Sequence, residues 1–89
     1  MIHFDWDTEN LAHIALHGVT AAEAEFVLTH PTLDRGFEHR QGEERFKEAG
    51  ATADGRVLEV VTTWRGMKLR VVTAYDASSF VAKEYYRTR

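Results

Sequence analysis

Residues 2–6 alternate apolar and polar, with Ile2, Phe4 and Trp6 on one side of His3 and Asp5, as in a short half-buried strand. Asp7-Thr8 then offers side-chain oxygens that cap a helix. At 100° per residue, Leu11, Ala12, Ile14, Ala15 and Leu16 fall on one side of that helix, and Glu9, Asn10, His13 and His17 on the other. Gly18 suits its C-terminal end, and Thr20 followed by Glu23 forms the pattern of a capping box that opens a second helix. The second helix should run to about His30, stopped by Pro31, with Ala21, Ala24, Val27 and Leu28 as its buried side.

Leu33 to Gln41 shows no clear period and stays unassigned, as a loop or short irregular strand. From Glu44 the chain reads as three antiparallel strands joined by tight turns at Asp54-Gly55 and Gly66-Met67. Two-residue turns would set Ala53 opposite Arg56 and Arg65 opposite Lys68. Ala49, Ala51, Leu58, Val60, Trp64, Leu69 and Val71 then form the core face. The other face carries Phe46, Glu48, Glu59, Thr63, Arg65, Lys68 and Arg70, mixed with Val57, Val61 and Val72. A last helix follows caps at Asp76–Ser79, with Ala77, Phe80, Val81 and Tyr85 on one side.

An 89-residue chain with this many apolar positions has room for one small folded domain, spanning 1–89. It has no cysteine, which excludes disulfides and thiolate metal sites. The N-terminus lacks a basic segment followed by an apolar run, and no stretch has the roughly 20 apolar residues of a membrane span, so a cytoplasmic location away from membranes is expected.

Net charge −3 weighs against simple nucleic-acid binding, but it averages over a gradient. Residues 1–55 hold four basic and eleven acidic side chains, while residues 56–89 hold seven basic and three acidic. Either the basic half faces a polyanion, the two halves attract each other, or the charges lie scattered on a solvated surface.

The opening Phe4-x-Trp6-Asp7-x-x-Asn10, then His13, His17-Gly18-Val19 and Glu23-Ala24, resembles the start of the BrnT toxins of type II toxin–antitoxin systems. Gly42-Glu43-x-Arg45, Gly50, Gly55-Arg56-Val57-Leu58, Thr63-x-Arg65 and Arg70-Val71-Val72-Thr73-Ala74 follow in the family's order and approximate spacing. The resemblance implies an α+β fold of RelE-like type, a small antiparallel sheet packed with two N-terminal helices and one C-terminal helix. It also implies a ribonuclease that needs no metal or other cofactor, RNA as its substrate, and a BrnA-like antitoxin as its partner. One stretch departs from the family: where these toxins continue with an Arg-Arg pair and a basic helix, this chain reads Tyr75-Asp76-Ala77-Ser78-Ser79-Phe80. A catalytically silent protein-binding module is therefore the alternative reading.

Metal-free RNA cleavage requires a base for the ribose 2′-hydroxyl, an acid for the leaving oxygen, and cations for the transition-state phosphate. Arg65 and Arg70, which match the family's arginines, are the candidate catalytic cations, unless they pair with Glu48 and Glu59. His17 is the candidate acid or base, unless it only complements the end of its helix. Arg45 and Lys47, expected near a strand end on the opposite face, and Tyr75 are candidate substrate contacts. Glu9, His13 and His17 align along one helix face, but a nearly linear stack is an incomplete ligand set, and no metal site is expected.

Overall fold

The computed structural model describes all 89 residues. In chain order the elements are β1 (His3–Phe4), α1 (Thr8–Ala15), α2 (Ala21–Leu28), β2 (Leu33–Arg40), β3 (Glu43–Ala51), β4 (Val57–Arg65), β5 (Lys68–Asp76) and α3 (Ser79–Arg87). The five strands form one sheet in the order β1-β5-β4-β3-β2, antiparallel except for the parallel pair β1–β5. The result is the expected α+β fold, with two N-terminal helices and one C-terminal helix on a mostly antiparallel sheet.

β4 is rich in β-branched residues and runs through the centre, with residues buried on both faces. Toward α1 and α2, Leu58, Val60, Val71 and Ala74 pack with Ile14, Val19, Ala24 and Val27; we call this the α2 face. Toward the last helix, Ala49 and Val57 pack with Val81 and Tyr85; this is the α3 face. α2 approaches the sheet so closely that a Cβ on Gly50 would stand 2.8 Å from Val27 Cγ1.

The segment left unassigned is strand β2, joined to β3 by a Gln41-Gly42 turn with positive φ at both residues. It hides from pattern reading because it is an edge strand, exposed along most of its length and interrupted by a bulge between Asp34 and Gly36.

The two predicted turns fared differently. Arg65 does pair with Lys68, and Gly66 alone has positive φ. The β3–β4 turn holds one residue more than expected: Thr52 N–H donates to Arg56 C=O, Gly55 N–H donates to Thr52 C=O, and Gly55 takes φ +89°. This is a type I turn closed by a glycine bulge, so Ala51 pairs with Val57 and β3 shifts by one residue relative to β4. The shift turns every β3 side chain to the face opposite the expected one. Ala49 and Ala51 lie on the α3 face with Arg45 and Lys47, while Phe46 and Glu48 lie on the α2 face. Val72 falls in a bulge between the Val61–Thr73 and Thr62–Val71 pairs.

The helices also depart in detail. α1 ends at Ala15, Leu16 is 82% exposed, and the buried pair is Asn10 and Ile14 rather than the leucines. Asn10 faces inward because its amide donates to Asp5 C=O (2.9 Å) and Val71 C=O (3.3 Å), binding the helix to the edge of β5 where β1 stops. In α3, capped by Ser78, Val81 and Tyr85 are buried, whereas Phe80 is exposed. Trp64, expected in the core, is 50% exposed, because α1 and α2 cover the far end of its face.

Candidate functional site

The one-residue shift of β3 and the Val72 bulge of β5 together bring Arg45, Lys47 and Tyr75 onto a single surface. On the α3 face Arg45, Lys47, Glu59, Val61, Thr73 and Tyr75 share one side of three paired strands. Beyond the reach of α3, Arg45, Lys47, Val61, Thr73 and Tyr75 line an open pocket of about 370 Å³, whose rim includes Arg35 from the β2 bulge. Arg45 also borders a neighbouring depression with Arg65, Arg70, His13 and Glu43.

Two carboxylates organise the cations. Glu43 accepts from Arg45 Nε (3.0 Å) and Arg65 Nη2 (3.3 Å), and Arg45 first, then Arg65, hold its carboxyl below the ordinary glutamate value. Glu59, 6% exposed, receives Arg35 Nε at 3.1 Å and faces Lys47 Nζ at 3.7 Å. Lys47 Nζ also stands 5.9 Å from the Tyr75 ring centre. The Tyr75 phenol, then the charge of Glu59, hold the ammonium above its ordinary pKa against partial desolvation. Lys47 is therefore a fixed cation at neutral pH and does not serve as a base.

Counting Glu38 at the pocket and its partner Arg40, five cations stand against three acids and leave this patch net positive, although the whole chain is acidic.

The histidines of α1 approach from the β5 side. His13 Nε2 lies 3.1 Å from Thr73 Oγ1, and the His17 ring is 6.2 Å from the Tyr75 ring and 5.7 Å from His13. Arg56 fixes the turn that carries His17, donating to Gly18 C=O (3.0 Å) and pairing with Glu23 (3.3 Å) and Asp76 (2.6 Å). Asp76 chiefly raises the Arg56 pKa further. Glu9, His13 and His17 do not converge: Glu9 turns toward Arg70 at 3.5 Å, and no three His, Asp or Glu side chains come together as a set able to hold a metal ion.

Arg70 is placed differently from Arg65. It is 7% exposed, and its guanidinium makes a two-pronged contact with Asp7, at 2.9 and 3.2 Å, with Asp5 and Glu9 each at 3.5 Å. Asp7 is the N-cap of α1, so Arg70 clamps the start of that helix to β5. The Arg70 hydrogen bond is the main reason the Asp7 carboxyl lies below its ordinary value. Neither arginine takes the acid expected for it; Glu48 sits on the α2 face and bonds Thr32 at 2.6 Å. The charge gradient along the chain is absorbed largely by pairs across its two halves, Arg56–Glu23, Arg65–Glu43 and Arg70–Asp7 among them.

Sequence reasoning missed Arg35 and the central place of Glu59. Arg35 lies in the segment without a period. Glu59 was on the expected face, but the cations beside it were assigned to the opposite one. The Glu43-x-Arg45 spacing was a usable signal, since residues two apart on a strand share a face.

Fold and site together define a small helix-on-sheet protein with a cationic, hydroxyl-bearing face able to hold an anionic ligand. Residues 6–80 match the family described as ribonuclease toxin, BrnT, of type II toxin–antitoxin system, and the chain belongs to that family. Such a family implies an antitoxin protein as partner. Among curated proteins none matches the chain.

Proposed function

We propose that this chain acts in the cytoplasm as a single BrnT domain of RelE-like type, a metal-independent endoribonuclease held inactive by a BrnA-like antitoxin. The observation that carries this reading is the meeting of Arg45, Lys47 and Tyr75 around one open pocket, with Arg65 joined to Arg45 through Glu43. A scissile phosphate lies against Arg45 and Lys47, and Arg65 offsets the charge that builds up in the transition state. The ribose 2′-oxygen attacks phosphorus and gives up its proton, while the bond to the 5′-oxygen breaks and that oxygen takes one. The products are a 2′,3′-cyclic phosphate and a free 5′-hydroxyl. His17, beside Tyr75, is the proton carrier. Arg70 supports the site as a positioning residue through Asp7 and α1.

One observation favours the catalytically silent alternative. Asp76, standing in the stretch where the family is basic, is engaged with Arg56. Expression of the untagged chain alone, with total RNA examined on gels, separates the two readings. Growth arrest with new RNA fragments, reproduced by purified protein in a metal chelator, supports the ribonuclease; normal growth and intact RNA from confirmed soluble protein support the binding module. In the first case, Arg45→Ala and Arg65→Ala relieve arrest without unfolding the chain.

A further inference from the structure

The α2 face has an uncovered end whose character is opposite to that of the cationic site. Past the ground covered by α1 and α2, Phe37, Phe46 and Trp64 stand on three neighbouring strands, with the Phe37 and Phe46 rings 5.3 Å apart. Phe37 is 56% exposed and Trp64 50% exposed. Between Phe46, Trp64 and Leu28 runs an open groove of about 480 Å³.

The register also sorts the charges. On the α2 face β2 and β3 present Asp34, Glu44 and Glu48, with His39 paired beside Glu44; Asp34 and Glu48 line the groove, and Lys47, which also lines it, carries its ammonium to Glu59 on the other side. An apolar groove edged by acids repels a phosphate backbone. It also repels the same face of a second copy. It fits a polypeptide that inserts an apolar side chain and sets Lys or Arg against the rim.

We infer that the antitoxin docks on this groove, through a segment carrying an apolar anchor flanked by basic residues, on the side of the sheet away from the cationic pocket. The inference rests on the antitoxin partnership that the family implies. Docking there leaves the RNA-facing surface uncovered by this segment, so the rest of the antitoxin has to reach around the sheet or tighten it to block cleavage.

The test uses the full chain and the small protein encoded beside it, titrated by calorimetry, with backbone amide shifts mapped by NMR. Trp64→Ala weakens binding by roughly tenfold or more, as loss of an aromatic anchor does. Glu44→Lys, an exposed charge reversal that leaves the core intact, weakens it by roughly three- to tenfold and flattens its salt dependence. Arg45→Ala leaves the affinity unchanged. Both α2-face variants, assayed alone, still cut RNA if the wild type does, yet escape inhibition.

Unchanged affinity in Glu44→Lys and Trp64→Ala, with shifts confined to the pocket of Arg45 and Lys47, overturns the inference. So does self-association of the wild type that Trp64→Ala abolishes, or RNA binding lost in Trp64→Ala. Failure of the wild type to bind the neighbouring protein removes the partnership and the docking site together, while RNA cleavage by the same sample separately decides the catalytic reading.

Discussion

Two arginine-bearing regions occupy neighbouring ground and use the same chemistry to different ends. Around Arg70, three carboxylates from the first ten residues close on one buried guanidinium. Around Arg45 and Lys47, five cations share three carboxylates beside an open pocket. The first region has more acid than base and holds the fold together; the second has more base than acid and keeps attraction to spare for an anion. A guanidinium is thus assigned to structure or to ligand by the ratio of carboxylates around it and by its burial, and matching a family arginine does not distinguish the two.

The strongest way to break this contrast is Arg70→Ala. It should cost roughly 2 kcal/mol, the size of a lost charged hydrogen-bond pair, and lower the melting temperature by roughly 10 °C. Urea and thermal melts measure it, and an unchanged melt would move Arg70 out of the structural group. Glu59→Gln, beneath the open patch, should cost about 1 kcal/mol in the same melts, because Arg35 and Lys47 are left facing each other without their shared anion. An acid titration sharpens the comparison. Because the folded state depresses the Asp7 pKa, its contribution is present above the unfolded aspartate value of about 4 and is lost as pH falls through the folded value. The stability gap between wild type and Asp7→Asn should therefore shrink on acidification below about pH 4, and a gap constant with pH would refute the coupling. The smallest stability effect belongs to Arg45→Ala, within about 0.5 kcal/mol, although RNA cleavage should fall sharply.

How much of this was legible from sequence depended on how many neighbours constrain each element. β4, and β5 as far as Val71, read correctly because buried strands show their faces as alternation, and the Gly66 turn fixed their pairing up to the Val72 bulge. α2 read correctly through its capping box and the Ala24–Val27 stripe. β2 was illegible because an exposed edge strand has no buried face to impose a period. The site was assembled incorrectly for two local reasons, the Val72 bulge that turns Thr73 and Tyr75 to the α3 face and the turn between β3 and β4. Asp54-Gly55 supports either a two-residue turn or a three-residue turn with a glycine bulge, and the choice moves Arg45 and Lys47 through the sheet. Likewise, Asn10 looked like part of a solvated helix face because nothing in its neighbourhood announces the Val71 carbonyl that it meets sixty-one residues later.

The junction of β1 and α1 with β5 has a consequence for how the chain acquires its shape. His3 and Phe4 pair with Lys68 and Leu69, and Asp7 meets Arg70 across 63 residues. The residues of β1 and the start of α1 thus wait for a partner strand made more than sixty residues after them. Contacts between such distant residues slow folding, since the connecting loop must close before they contribute. The helix bearing His13 and His17 can take its seat only once β5 is made. A nascent chain therefore can pair β2, β3 and β4 before its N-terminal strand and first helix find their place on the sheet.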